Sequence, residues 1–297
     1  MEIESFISRF AGFEWFWNNH LITHGVDILR IMMPNRAFAS AMAFVAGMAL
    51  YGMFDIQTAF FGMLMIISTY SSQAVYNNLK DIDGDSVNAP ERPLVNGSIT
   101  LPEAKTIMFT LITLGFVFAY IAAPILIFVN ILYICLGIIY SAFTKSTWYL
   151  SYLTLTTTHL VIPLATGYLV YGQLDFKIML IIGFIYLTEG FIWSIKDYKD
   201  VLGDEKMGVN SLPVSLKPEN AAKVTFATLC TPLIFSWIPW HFLGLSVFFI
   251  ITYMIAGIAR AYLGSMLLKD QTPSLTEGIL KNFRYILFIQ MIAWCMA

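Results

Sequence analysis

Asn77, Asp81 and Asp85 stand four residues apart in Tyr76-Asn77-Asn78-Leu79-Lys80-Asp81-Ile82-Asp83-Gly84-Asp85, where a long apolar run gives way to a polar one. On a helix this spacing puts the three side chains on one face, which Gln73 extends by a turn. Carboxylates this close repel one another unless a cation sits among them, and an oxygen-rich set suits Mg²⁺ carrying a substrate phosphate. A second acidic run follows about 120 residues later in Lys196-Asp197-Tyr198-Lys199-Asp200-Val201-Leu202-Gly203-Asp204, again after an apolar run. There Asp197, Asp200 and Asp204 align at i, i+3 and i+7. One such run is usually a solvated face; two, each at the mouth of an apolar run, are expected to be half-sites facing one ligand. Asn77, Asp81, Asp85, Asp197, Asp200 and Asp204 are therefore the expected metal ligands.

A diphosphate on Mg²⁺ still carries excess negative charge, which basic side chains must balance as it departs. Arg92, Lys145 and Lys199, in segments adjoining the acidic runs, are the candidates. Taken singly, each also fits a residue that only fixes membrane topology. Within the apolar runs, His159 (beside Thr154, Thr156, Thr157 and Thr158) and Glu189 are costly to bury in lipid. Both fit a place in a substrate pocket and a hydrogen bond to a neighbouring helix equally well.

The elements that must carry these groups are membrane helices. With 58% hydrophobic and 12% charged residues among 297 and a mean hydropathy of +0.71, the chain is expected to be an all-α, polytopic membrane protein. Apolar runs at about 37–54, 57–79, 104–122, 124–142, 149–171, 176–196, 221–239, 242–264 and from about 282 predict nine transmembrane helices bundled around a central cavity. Residues 80–104 read as a long polar loop. Residues 1–36 form a lead-in containing a surface helix over 3–24, and 37–297 a nine-span domain with two pseudo-repeats, one per acidic run. Nucleic acid is excluded as a partner, because the basic residues are few and scattered. No removable signal peptide is expected ahead of the first span. Cys135, Cys230 and Cys295 lack paired spacing and are expected to be small buried residues.

Nine spans place every Lys and Arg except Lys177 on one side of the membrane. That asymmetry predicts an active site opening toward the cytoplasm.

Together these residues resemble the UbiA-type intramembrane prenyltransferases. Asn77, Asp81 and Asp85 match the family's Asn-x₃-Asp-x₃-Asp motif, and Asp200 and Asp204 its Asp-x₃-Asp motif. Arg92-Pro93-Leu94 with Gly97, Tyr140 to Lys145, and Gly203-Asp204 leading to Gly208 and Ser211-Leu212-Pro213 also match. The resemblance implies two Mg²⁺ ions held by the two motifs. It also implies transfer of a prenyl group from its diphosphate, with Asp81, Asp85, Asp200, Asp204 and Lys145 catalytic and Asn77, Arg92, Lys145 and Lys199 binding the donor. Many members have Asp directly after the motif Asn, where this chain has Asn78. The expected acceptor is aromatic, of the quinone-precursor type, with membrane lipid around the bundle. The alternative is a glycerol-phosphate lipid, as in archaeal ether-lipid enzymes, which look similar around Arg92 and Lys196-Asp197. Their Arg-Glu pair in the sixth span is replaced here by Glu189-Gly190. A non-catalytic lipid binder or transporter would explain the bundle, but not two acidic motifs with matched basic segments.

Overall fold

The computed structural model describes residues 20–297. The surface helix expected over residues 3–24 lies outside them except for its last turn, which belongs to α1 (His20–Met32). Among the described residues the fold is all-helical, with no strand and one isolated bridge, Thr147 to Asn210. The first half continues with α2 (Pro34–Tyr51), α3 (Ile56–Lys80), α4 (Ile82–Asn88), α5 (Leu101–Ala122) and α6 (Leu126–Ala142). A π turn, Thr157–Val161, joins α7 (Trp148–Thr156) to α8 (Ile162–Leu169). Then come α9 (Phe176–Glu189), a 3₁₀ stretch (Ile192–Lys199), α10 (Val201–Met207), α11 (Leu212–Leu216), α12 (Pro218–Leu229), α13 (Thr231–Phe235), α14 (Trp237–Leu243), α15 (Val247–Leu267) and α16 (Pro273–Cys295).

Among the described residues four helical stretches are long and apolar enough to cross a membrane: Leu101–Ala122, Phe176–Lys199, Pro218–Leu243 and Val247–Leu267. With 25 residues α3 has the length, but Ser68, Thr69, Ser71, Ser72, Gln73 and Asn77 dilute its apolar content. These groups face neighbouring helices and the cavity rather than lipid: Thr69 donates to Asn130 Oδ1 at 2.5 Å and Gln73 Nε2 to the Tyr133 carbonyl at 2.8 Å. On α5 and α6, by contrast, Phe109, Tyr120 and Phe128 are all more than 60% exposed, as a lipid-facing surface requires.

Two local expectations change. The polar loop after residue 80 begins as a helix, α4, while α16 starts at Pro273, ahead of the last apolar run. None of the three free cysteines is buried, and Cys135 on α6 is exposed, because these small side chains lie on outward or partly open helix faces.

Close helix approach draws the bundle together. A Cβ on Gly47 would lie 2.0 Å from the Leu164 carbonyl oxygen, and one on Gly167 1.9 Å from that of Phe44, so α2 and α8 pack backbone to backbone. One side of the core joins α2, α8, α9, α15 and α16 through Leu164, Phe184, Tyr253 and Trp294. Beside it lies a buried ionic cluster: Arg260 of α15 pairs with Glu189 and Gln290 and donates to the Thr188 carbonyl at 3.3 Å. Glu189 therefore finds its arginine across the bundle rather than beside it in sequence. Arg260 also closes the carboxyl end of α9, where the helix gives way to the 3₁₀ stretch.

Candidate active site

Both acidic motifs line one cavity of about 330 Å³. The first arrives on the end of α3. Asp81 is the hinge residue that ends α3 and starts α4, and the Asp85 amide donates to the Asp81 carbonyl at 2.7 Å, so the helical spacing survives the joint. The second motif departs from the expected α-helix. Asp197 lies in the 3₁₀ stretch, where residues three apart eclipse one another, which sets Asp200 close to the same line. Asp204 follows on α10.

The two motif helices meet through Asn88. Its Oδ1 accepts from the Gly203 amide at 3.1 Å and its Nδ2 donates to the Asp200 carbonyl at 3.4 Å. A Cβ on Gly203 would sit 2.1 Å from Asn88 Nδ2, so only glycine permits this approach. Asn88 went unnoticed in the sequence, although it lies three residues beyond Asp85 on the same helix. Lys145 is placed from a third direction. It sits on the 3₁₀ turn Thr144–Ser146, and the strand-like clasp of Asn210 N to the Ser146 carbonyl (2.9 Å) and Trp148 N to the Asn210 carbonyl (3.0 Å) ties that turn to the segment after Asp204.

Six basic and five acidic side chains line the cavity. Four pairs form: Arg92 with Asp85, Lys145 with Asp81, Lys196 with Asp197 at 2.8 Å and Lys199 with Asp200 at 2.7 Å. Asn77 donates to Asp81 at 2.6 Å and accepts from Ser141 Oγ at 3.3 Å. Asp197 is 5% exposed and also accepts from Tyr152, so it is held more tightly than the other carboxylates. Tyr152, 45 residues upstream in an apolar helix, carried no signal of this role. Among the described residues Asp204 pairs with no cation, and Arg36 and Lys80 with no carboxylate. Asn78 does not line the cavity. It is buried on the other side of α3, donating to the carbonyls of Ala74 (2.8 Å) and Ile31 (3.2 Å), bonds that a carboxylate could not make.

Burial raises two of the carboxyls above their ordinary range. It pushes Asp85 above the ordinary carboxylate range, against the opposing pull of Arg92, and it pushes Asp204 up to about 6. Nearby, Ser211 lines the cavity, 4% exposed, with its hydroxyl oxygen lacking a hydrogen-bond partner. Among the described residues no three His, Cys, Asp or Glu side chains converge as a ready-made metal cage. The donor set is instead one of separate carboxylates, each carrying its own counter-cation, plus one uncompensated Asp204. That arrangement suits Mg²⁺, which binds through few carboxylates together with substrate phosphate oxygens rather than in an all-protein cage.

A pH dependence follows. Above about pH 6 the unpaired Asp204 is ionised and available to a cation; below it a proton competes. The rise in Tm produced by 5 mM Mg²⁺ with inorganic diphosphate (a test concentration of roughly saturating order) is expected to be larger at pH 7.5 than at pH 5. An equal rise at both would take Asp204 out of the metal site.

Comparison with known proteins converges on one family. The model described as the UbiA prenyltransferase family matches residues 37–287. Digeranylgeranylglyceryl phosphate synthase of Methanocaldococcus jannaschii is 26% identical over 241 residues, covering 79% of this chain and 81% of the relative. The enzyme of the same name from Methanosphaera stadtmanae is 25% identical over 275 residues, covering 90% and 97%. Among solved structures, the apo UbiA homolog from Aeropyrum pernix superposes with a TM-score of 0.72 at 17% identity, covering 86% of this chain and 96% of that one. A UbiA homolog from Archaeoglobus fulgidus bound to GPP and Mg²⁺ gives 0.65 at 18%, covering 90% and 98%.

Proposed function

The chain belongs to the UbiA prenyltransferase family, and from that premise we propose that it transfers a prenyl chain, with Mg²⁺, from its diphosphate to a hydroxyl of a glycerol-phosphate lipid. The protein is an intramembrane prenyltransferase; the acceptor, the number of ions and the residue roles are our reading. One observation carries it: two acidic motifs, from α3–α4 and from the 3₁₀ stretch–α10, line a single cavity together with the cations they pair with.

In this reading Asn77, Asp81, Asp85, Asp200 and Asp204 hold two Mg²⁺ ions, and Asp197, clamped by Tyr152 and Lys196, fixes the backbone between them. Mg²⁺, when bound, supplies Lewis acidity that draws charge from the diphosphate oxygens. Arg92, Lys145 and Lys199 balance the charge that grows on the leaving diphosphate as the allylic C–O bond ionises. The bundle excludes water, which would otherwise capture the cation. Residues 37–297 make nine membrane crossings around this cavity, which opens to the cytoplasm; labelling of Glu91→Cys and Lys206→Cys in a cysteine-free background from outside only would reverse that orientation.

The aromatic acceptor expected from the sequence gives way here to the lipid alternative. The relatives are named digeranylgeranylglyceryl phosphate synthases, and Arg36 and Lys80, cavity cations without carboxylate partners among the described residues, suit an acceptor that brings its own phosphate. The reconstituted protein, given geranylgeranyl diphosphate and Mg²⁺ with geranylgeranylglyceryl phosphate and 4-hydroxybenzoate in competition, is expected to form the diether lipid. Prenylated benzoate as the only product would restore the aromatic reading.

A further inference from the structure

The cavity also carries a tyrosine–histidine pair, with Arg36 among the residues around it. Tyr70 of α3 meets His159, which sits on the π turn Thr157–Val161, an irregularity frequent at functional sites. The Tyr70 hydroxyl lies 2.9 Å from His159 Nε2, and Thr158 Oγ1 lies 2.8 Å from His159 Nδ1. The imidazole is wedged edge-on between the Tyr70 and Trp193 rings, at 4.7 and 5.0 Å between centroids. All of these residues line the cavity, and none takes part in the diphosphate chemistry described above.

The directions of these bonds follow from the neighbours. The Thr158 hydroxyl donates to the Thr154 carbonyl at 2.9 Å, so its oxygen accepts from His159 Nδ1–H. The cations Arg36 and Lys196 line the same cavity and oppose a charge on the ring. Neutral imidazole with its proton on Nδ1 leaves the Nε2 lone pair as acceptor, so the Tyr70 hydroxyl donates to it. The phenolic oxygen then has a lone pair left for a partner in the cavity.

We propose that Tyr70, His159 and Thr158 form a proton relay that takes the acceptor's proton once the prenyl cation has been captured. The proposal rests on the prenyl-transfer reading with a hydroxyl acceptor. The donor C–O bond breaks with its electron pair leaving on the diphosphate. A lone pair of the acceptor hydroxyl forms the new C–O bond, and the O–H proton passes to Tyr70 as Tyr70's own proton moves to His159 Nε2. The products are the ether, diphosphate and a transiently protonated His159, held by its Nδ1–H bond to Thr158. Attack by a neutral hydroxyl creates a strongly acidic protonated ether, so even a weak base suffices. His159 is thus a positioning and proton-accepting residue behind Tyr70, which is the group that touches the acceptor.

The relay acts after ionisation, so its loss alters the fate of the cation. In Tyr70→Phe and His159→Gln the amount of ether formed per diphosphate released from geranylgeranyl diphosphate is expected to fall about a hundredfold, the low end of general-base effects. Prenyl alcohol would make up the difference. In His159→Ala, added imidazole is expected to restore part of the ratio. A wild-type ratio in both Tyr70→Phe and His159→Gln, even with slower turnover, would overturn the relay and leave the departing diphosphate as the base. If the wild-type protein releases no diphosphate at all, the prenyl-transfer reading itself fails and the relay with it.

Discussion

Replacing Asp81 or Asp200 by Ala is expected to lower prenyl transfer on the order of a thousandfold or more, equivalent to about 4 kcal/mol of transition-state stabilisation. The sign of the accompanying binding change is the informative part. In the unliganded site Asp81 neutralises Lys145 and Asp200 neutralises Lys199. Removing either carboxylate frees an ammonium in the cavity, so a site that held diphosphate by basic residues alone would bind it more tightly. A site that holds it through Mg²⁺ loses affinity, because each motif alone offers too few oxygens. Rate measurements at saturating donor, with circular dichroism to establish folding, check the first statement. A variant that keeps more than about a tenth of wild-type kcat, which is within roughly 1.4 kcal/mol, would exclude its carboxylate from the reaction.

Lys145→Met is expected to reduce kcat on the order of a hundredfold, a loss of about 3 kcal/mol, while changing the acceptor KM little. Lys145 is held over the cavity by the clasp between Ser146 and Asn210, and it shares Asp81 with Asn77. A metal held at Asp81 would leave the Lys145 ammonium free for the diphosphate, where its effect would grow as the C–O bond breaks. Met keeps the length and apolar stem and removes only the charge. If Lys145 served membrane topology alone, kcat of the inserted variant would stay near normal. A shift confined to acceptor KM would instead place the residue beside the acceptor.

The fold was legible where the signal was periodic. Apolar runs gave helices at the expected places, because lipid forces every spanning backbone group into internal hydrogen bonds. The spacing of Asn77, Asp81 and Asp85 marked a cavity-lining face, since the joint at Asp81 preserves helical phase. The i, i+3, i+7 spacing of the second motif suits an α-helix, yet Asp197 lies in a 3₁₀ stretch and only Asp204 on α10, because carboxylates three apart suit either winding. What stayed hidden was long-range. Tyr152 reaches Asp197 and Arg260 reaches Glu189 from helices 45 and 71 residues distant, and in sequence they look like ordinary members of apolar runs. Asn78 shows the converse. Read against the metal, it was a departure from pattern; in the fold it faces α1 and needs an amide's donors.

The central claim, that both motifs grip one diphosphate through Mg²⁺, is tested most directly by titrating inorganic diphosphate into the purified protein calorimetrically. Wild type, Asp81→Ala and Asp200→Ala would each be titrated with Mg²⁺ and with chelator. Binding to the wild type only with Mg²⁺, and its loss in both variants, is the predicted result. Binding that survives the chelator, or that strengthens in either variant, would contradict it and leave a purely cationic site.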